Sequence, residues 1–328
     1  MFGTRFATRL NSFASGAATY WSGQGAKPSL QQSVQRAATV QGLTDVDLNY
    51  PDHAGGDLAQ TSAMIADCGL AVNGLAMRYY TNPAFKLGAF TNPDQAVRRE
   101  AIDLTKRGID ATRALGSNLM TLWLGQDGFD YGFQCDYNAL WAAEVAGIAE
   151  VAAHDPDCLI SLEYKPNEPR AFSLLPDAAT TLLAIADAGA PNLGVTLDFA
   201  HALYANEQPA NAAAQIMRRS RLLGLHLNDA YAKRDDGLMV ASVHAQATLE
   251  LLREVSRAGF DGAIYFDTFP DASGMDPVHE CTVNIRTVRR LIATIDRLDG
   301  DNRLGEAQRT QDAVAAQDIV QTAMAGGA

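Results

Sequence analysis

The sequence predicts an α/β protein, a (β/α)8 TIM barrel. Four short apolar runs each end in a polar side chain: Glu163, Asp198, His226 and Asp267. The steps between these residues are 35, 28 and 41 positions, and a strand–helix unit needs roughly 30 residues or more. Eight strand-then-helix patterns follow one another along the chain, which is what a closed parallel barrel requires.

The length of the chain fits one barrel, since 328 residues lie within the range that TIM barrels cover without division. A single catalytic domain is therefore predicted at residues 1–300. Residues 301–328 are rich in Gln and Ala and form a tail. Two interpretations of this tail stay open: a helix that contacts another subunit, and a partly disordered segment.

Four strands are predicted in the first part of the chain, at residues 6–13, 43–50, 70–79 and 117–125. Between them, helices are predicted at residues 29–41 and 57–67, and the Gly/Ser-rich residues 15–25 are predicted to form a loop. A longer helix is predicted to start at Asn92 and to end near Leu115. Asn92 fits the N-cap and Pro93 the first helical position.

The second part of the chain supplies the four strands that end in the polar residues named above. Because the carboxyl ends of barrel strands meet at one face, these four side chains are expected to converge there. Two Asp, one Glu and one His without Cys form a hard site of mixed oxygen and nitrogen ligands. The preferred ion is Mn²⁺, with Co²⁺ or Mg²⁺ as alternatives. The competing interpretation is four unrelated strand-end caps.

Lys165 lies two residues beyond Glu163, and strand periodicity places both side chains on the same face. A buried salt bridge between them is one interpretation. The other is catalytic, in which the Lys165 ammonium donates a hydrogen bond to the carbonyl oxygen of a substrate and stabilises the negative charge that develops there.

Several motifs resemble one enzyme superfamily. Glu163-Tyr164-Lys165-Pro166-Asn167-Glu168-Pro169-Arg170 is similar to the Glu-x-Lys-Pro-Asn-Glu-Pro-Arg segment of xylose isomerases. Asp198-Phe199-Ala200-His201 and His226-Leu227-Asn228-Asp229, with the later Asp235-Asp236, resemble the bacterial L-rhamnose isomerase branch. The resemblance covers about residues 5–295. It implies a xylose isomerase-like barrel that acts on a small-molecule sugar.

The same resemblance bears on a second metal. His201 lies three residues after Asp198, where it could reach a neighbouring ion that Asp235 and Asp236 would complete; His201 and Asp235 are also candidate catalytic residues. In the isomerases that the chain resembles, the acids of this loop are separated by one residue, whereas here they are adjacent. The alternatives are a loop histidine bound to a backbone group and a solvated acidic run.

Two further residues are candidates for substrate contact. Trp123-Leu124-Gly125-Gln126-Asp127-Gly128 resembles the Trp-Gly-Gly-Arg-Glu-Gly strand end of xylose isomerases, with Trp123 as an apolar wall against the sugar. Its alternative is a buried core tryptophan. His53, after Asp52, is a candidate acid or base for ring opening, and its alternative is a residue of the following helix start.

The function that these residues predict is aldose–ketose isomerisation by a metal-assisted hydride shift. The alternatives are a ketose 3-epimerase, a metal-dependent lyase on an oxidised sugar, and a non-catalytic binding barrel. Related epimerases typically end the metal quartet with Glu, whereas this chain has Asp267. No Gly-rich anion loop or arginine cluster is evident, so an unphosphorylated sugar is expected.

Composition limits the partners and the location. The net charge of −12 argues against a nucleic-acid partner, which requires a basic surface. No apolar run approaches the 18 or so residues of a membrane span. The four cysteines have no CxxC spacing, which suits a reducing cytoplasm. A homo-oligomer, dimer or tetramer, is expected.

Overall fold

The structure, a computed structural model, describes residues 2–16, 19, 28–270 and 274–326. Its strands are β1 (Phe6–Arg9), β2 (Asp45–Tyr50), β3 (Ala71–Met77), β4 (Leu119–Leu122), β5 (Gly128–Phe129), β6 (Leu159–Glu163), β7 (Phe172–Ser173), β8 (Leu193–Asp198), β9 (Leu222–Leu227) and β10 (Ile264–Phe266). Its helices are α1 (Leu30–Ala37), α2 (Leu58–Asp67), α3 (Gln95–Ala114), α4 (Tyr137–Ala152), α5 (Ala178–Ala188), α6 (Phe199–Tyr204), α7 (Pro209–Arg219), α8 (Ala245–Arg257), α9 (Pro277–Asp299), α10 (Asn302–Thr310) and α11 (Ala313–Met324).

Eight of these strands close into a parallel barrel in the order β1-β10-β9-β8-β6-β4-β3-β2. Helices cover the outside, so the strands are buried on both faces; every residue of β8, for example, is buried. Ile160, Leu197 and Leu225 are fully buried in the apolar core. The predicted (β/α)8 fold is confirmed.

The strands are shorter than predicted because buried apolar residues continue beyond their ends. The first strand stops at Arg9, and Leu10–Ala14 forms a 3₁₀ helix in which Leu10 and Phe13 are buried. The third and fourth strands also end early, at Met77 and Leu122. Most of the predicted loop at residues 15–25 lies outside the described residues.

The predicted start of the long helix was wrong by two residues. The N-cap is Asp94, whose Oδ1 accepts a hydrogen bond from the Ala96 amide at 2.8 Å. Asn92 is buried instead, and its side-chain amide donates to the Gly88 carbonyl at 2.9 Å. Asn92 therefore closes the preceding loop, and the helix begins after it.

Strands β5 and β7 form a separate antiparallel pair in the loops that follow β4 and β6. The rings of Phe129 and Phe172 stack across it with their centroids 5.1 Å apart. The loop that carries Lys165 is thereby tied to the loop that follows Trp123. Both loops lie at the carboxyl ends of their strands.

The tail forms helices α10 and α11, which pack on α9. Leu304 and Ala323 are buried in this contact, and Arg297 of α9 donates to the Ala323 carbonyl at 2.9 Å. Whether the tail also contacts another subunit stays a prediction. Across the described ranges, no helix combines the length and the apolar character that crossing a membrane requires.

Candidate active site

Four strand ends bring the predicted metal quartet together. Glu163 ends β6, Asp198 ends β8, His226 lies in β9 and Asp267 follows β10. One ligand atom from each residue lies within 4.8 Å of all the others. The register of the barrel explains the convergence, because Asp198 pairs directly with His226 across β8 and β9.

The quartet concentrates negative charge where water is scarce. Burial raises the pKa of Asp198 to about 7, and the neighbouring carboxylates add to the effect. Burial alone would lower the pKa of His226, but the Glu163 carboxylate, 3.1 Å from Nδ1, raises it to about 9. Buried carboxylates require a compensating cation or proton, and the oxygen and imidazole donors fit a divalent metal.

Asn228 holds one member of the quartet in place. Its side-chain amide donates to both oxygens of Asp198, at 3.2 and 3.0 Å, and its carbonyl oxygen accepts from the Ala200 amide at 2.9 Å. Asp198 also caps helix α6 by accepting from the His201 amide at 2.9 Å. Such supporting hydrogen bonds fix the orientation of a ligand. Asn228 belongs to the motif that starts at His226, but its role at the site was not predicted from the sequence.

Lys165, Asp235 and His201 form a chain of contacts beside the quartet. Asp235 Oδ2 lies 3.2 Å from Lys165 Nζ and 3.2 Å from His201 Nε2. Lys165 also contacts Glu168, at 3.1 Å. Among the described residues, the ion-pair partners of Lys165 are thus Asp235 and Glu168. The alternative of a salt bridge between Lys165 and Glu163 was wrong.

Two polar atoms in this group of contacts lack a hydrogen-bond partner in the described part of the chain. Asp235 Oδ1 and His201 Nδ1 are buried and have no hydrogen-bond partner among the described residues. Burial would lower the pKa of His201, but the carboxylates of Asp198, Asp235 and Glu163 raise it to about 10. His201 and Asp235 therefore have unused donor and acceptor capacity directly beside the quartet, as a ligand-binding site requires.

The structure does not bring Asp236 or His53 to the site. Asp236 closes its own loop, since its carboxylate accepts from the Tyr231 amide at 3.0 Å and from Arg234 Nε at 2.8 Å. His53 lies in the turn after β2, where its Nδ1 accepts from the Asn49 amide at 3.1 Å. Neither residue lines the cavity above the quartet. Hydrogen bonds within their own turn or loop hold both side chains.

Gly237, which follows the two adjacent acids of this loop, has little room for a side chain. Gly237 has φ +57°. A Cβ atom built there would lie 2.3 Å from the ring of Phe269. Both the backbone conformation and the packing therefore favour glycine at this position.

A cavity of about 420 Å³ opens above the quartet. Trp123 forms part of its wall, with Lys165 Nζ 5.3 Å and the Tyr80 ring 5.5 Å from its own ring centroid. Lining residues that sequence reasoning missed are Arg9, Arg78, Tyr80 and Phe269. Two of them had a signal in the sequence, because Arg9 ends β1 and Arg78 follows β3, but the predicted strands ran past both.

The loop after β3 is fastened to the loop after β4 by Asp127. This buried carboxylate accepts three hydrogen bonds through Oδ1, from the Ala89 amide at 2.9 Å and from the amide and hydroxyl of Thr91 at 2.8 and 2.5 Å. Charge-assisted bonds of this kind are the strong ones. The clamp therefore connects the segment after Tyr80 to the segment after Trp123.

A second cavity, of about 470 Å³, opens at the opposite end of the barrel, where Arg5, Arg221 and Asp261 contribute to its lining. In the described part of the chain, the metal-type cluster lies only at the carboxyl face. TIM-barrel enzymes carry out their chemistry at that face. The smaller cavity, above the quartet, is therefore the candidate active site.

Comparison with known proteins identifies the family of the chain. A family model described as "Xylose isomerase-like TIM barrel" matches residues 35–290. A xylose isomerase of Thermus thermophilus is 28% identical over 207 residues, which are 61% of this chain and 54% of that relative. The chain thus spans about half the length of the curated relative that it matches.

Solved structures give the same fold. An L-ribulose 3-epimerase superposes with a TM-score of 0.69 at 18% identity, over 90% of this chain and 97% of that one. A D-tagatose 3-epimerase-like protein gives a TM-score of 0.67 at 13% identity, over 89% and 98% of the two chains. At these identities the likeness shows the fold alone. Because the family model matches most of the sequence, the chain belongs to the xylose isomerase-like TIM-barrel family.

Proposed function

We propose that the protein is a divalent-metal-dependent sugar isomerase that interconverts an aldose and a ketose. The observation that carries the proposal is the convergence of Glu163, Asp198, His226 and Asp267 within 4.8 Å beside the Lys165–Asp235 pair. This combination supports the proposal, because side chains suited to bind a metal lie beside a fixed ammonium donor. An unphosphorylated sugar with a xylose- or rhamnose-like chain is the substrate that the sequence motifs suggest.

The quartet would hold the metal, with Mn²⁺ the best match to its carboxylates and imidazole, and Co²⁺ or Mg²⁺ as alternatives. Bound there, the ion would act as a Lewis acid toward the oxygens of a sugar. Asn228 keeps the Asp198 carboxylate in the orientation that the site needs. His201 and Asp235 have the open atoms that a neighbouring second ion or a substrate hydroxyl would use.

Lys165 supplies the charge stabilisation. Its ammonium is held by Asp235 and Glu168, so its remaining donor can point to a carbonyl oxygen without reorganisation. Trp123 presents an apolar surface to the carbon-bound hydrogens of the sugar and excludes water from that side. Exclusion of water favours transfer of hydrogen within the substrate over exchange with solvent.

A ketose 3-epimerase is the second candidate, favoured by the fold likeness to two proteins with epimerase titles. Epimerisation by two carboxylates requires a second base in reach of the substrate. The fourth ligand here is Asp267, which is one methylene shorter than Glu and lies 3.6 Å from Arg9. A metal-dependent lyase on an oxidised sugar is the third candidate.

The deciding experiment incubates the purified protein and Mn²⁺ with a panel of aldoses and ketoses in D₂O, followed by NMR of the products. We expect an aldose–ketose pair with little deuterium at the carbons next to the carbonyl. Near-stoichiometric deuterium there would reject the hydride shift, and a product that differs only at C3 would identify an epimerase. Loss of water or cleavage of a carbon–carbon bond would identify a lyase.

A further inference from the structure

Arg78 is a charged residue of the candidate active site that the proposed mechanism does not use. It is the first residue after β3, and its backbone amide donates to the Tyr50 carbonyl at 3.0 Å. This bond anchors the base of the side chain to the end of β2. The side chain lines the cavity above the metal quartet.

The ion-pair partners of the lysine and arginine side chains in this cavity differ. Lys165 lies 3.2 Å from Asp235, and Arg9 lies 3.6 Å from Asp267. Arg78 has no carboxylate within ion-pair distance among the described residues, and its buried Nε has no hydrogen-bond acceptor there. A guanidinium that is partly withdrawn from water without an acceptor is costly, so its place beside a ligand cavity indicates an acceptor on the ligand.

The side chains around Arg78 indicate where in the cavity such an acceptor would lie. Its guanidinium lies 5.7 Å from the Tyr80 ring centroid, the Tyr80 ring lies 5.5 Å from Trp123, and Trp123 lies 5.3 Å from Lys165 Nζ. Arg78 and Lys165 thus contact different members of one pair of adjacent aromatic rings. A ligand whose carbonyl meets Lys165 reaches Arg78 with a different part of its carbon chain.

We propose that Arg78 binds the carboxylate of a sugar acid, so that the substrate of the proposed isomerase carries an acid group away from its reacting carbonyl. The planar guanidinium matches a carboxylate through two parallel hydrogen bonds. A phosphoryl group, with close to two charges at neutral pH, would call for more than one unpaired cation. The assignment rests on the proposed function for the location of the carbonyl, but not for the binding of the acid.

A structural role for Arg78 is the main competing explanation. Its charge helps to hold the pKa of Glu163 low, although His226 and His201 contribute more. If this were its only task, replacement of Arg78 would weaken the binding of neutral and acidic sugars alike. Only recognition of an acid group makes the ratio of the two affinities depend on Arg78.

Calorimetric binding to the Mn²⁺-loaded protein separates these explanations. The probes are matched sets in the gluco, galacto and manno series, each with an aldohexose, its uronate and its 6-phosphate. We expect at least one uronate to bind about 10- to 100-fold more tightly than its neutral partner, as a hydrogen-bonded ion pair provides. Arg78→Gln should bring that ratio close to one, and Arg78→Lys should give an intermediate ratio.

Arg107→Gln is the matched control, since Arg107 lies on the exposed surface of α3, paired with Glu100. It should leave the affinity ratio unchanged. The proposal is overturned if no uronate binds more tightly than its neutral partner, or if the 6-phosphate binds more tightly still. Should Arg78→Gln fail to fold, the ratio in the wild-type protein decides. Binding of an acid through Arg78 without turnover would refute the isomerase and leave this assignment intact.

Discussion

Lys165 and Asp235 form a buried ion pair, with Nζ 3.2 Å from Oδ2, although they follow strands that are not neighbours in the barrel. Lys165 follows β6 and Asp235 follows β9, and β8 with Asp198 at its end lies between them. The pair therefore spans the end of a strand that carries a metal-type ligand. This relationship fixes a donor for a substrate oxygen at a set place beside the quartet.

The adjacent acids Asp235 and Asp236 should differ in effect. Asp235→Asn removes the charge that holds both Lys165 and His201, and we expect turnover to fall about 100-fold or more, as loss of a buried charge pair predicts. Asp236→Asn should stay within a few-fold of wild type, because its contacts are confined to its own loop. Equal effects of the two substitutions on kcat would contradict this division.

Replacement of Lys165 tests the proposed donor. Loss of one preorganised donor to a developing oxyanion costs roughly 100- to 1000-fold in rate, and we expect Lys165→Met to lose that much kcat while it still binds Mn²⁺. Lys106→Met serves as the control, since Lys106 pairs with Glu150 on the helical surface. A Lys165→Met enzyme with near-normal kcat would reduce Lys165 to an ion-pair partner of Asp235 and Glu168.

Metal removal should abolish activity. We expect EDTA to inactivate the protein and Mn²⁺ or Co²⁺ to restore it better than Ca²⁺, because imidazole favours transition metals. His226→Ala should lose tight Mn²⁺ binding in a metal titration, whereas His154→Ala should not, since His154 contacts Asp110 on the surface. Full turnover in metal-stripped protein would exclude the role given to the quartet.

Asn228 should act on the metal without touching it. Loss of a residue that orients a ligand typically lowers metal affinity about 10- to 100-fold, and we expect this range for Asn228→Ala, measured by competition with a chelating dye. Asn211→Ala is the comparison, since Asn211 lies on α7 away from the quartet. An unchanged Mn²⁺ affinity in Asn228→Ala would show that the two bonds to Asp198 are not needed.

Glu280 predicts a pH dependence of stability. Burial raises the pKa of this carboxyl from 4.5 to about 7, against hydrogen bonds from Thr268 and Asn284. As the pH rises, Glu280 loses its proton at a lower pH in the unfolded chain than in the folded protein. The free energy of unfolding therefore falls between about pH 4.5 and about pH 7. Glu280→Gln removes this loss, which amounts to at most about 3 kcal/mol.

Urea unfolding at about pH 5 and about pH 8 measures the effect. The free energy of unfolding of Glu280→Gln, minus that of the wild-type protein, should increase as the pH rises. Glu100→Gln, on the exposed side of α3, should show no such trend. A constant difference between Glu280→Gln and wild type at both pH values would mean that Glu280 is charged in the folded state.

Polar residues at strand ends could be predicted from the sequence because two signals indicate a strand end. One is the apolar run before it, and the other is the charged or polar residue after it. Glu163, Asp198, His226 and Asp267 all have both signals, and the barrel register then brings them together. The fold class followed from the same pattern.

Loop side chains could not be placed in this way. Asp235 and Asp236 are identical in type and adjacent in sequence, yet one faces the site and the other bonds to Tyr231 and Arg234. Arg78 was hidden because the predicted third strand ran on to residue 79. In each case the deciding contact is made by residues distant in sequence or by the backbone of the loop, which periodicity does not report.

The Asp127 clamp has a thermodynamic consequence for whatever enters the cavity. Three hydrogen bonds to one carboxylate hold the segment after Tyr80 before any ligand arrives. A ligand then meets a wall whose conformational entropy has already been lost during folding, so little ordering opposes association. Discrimination between sugars at this wall should therefore appear mainly in how quickly each one leaves.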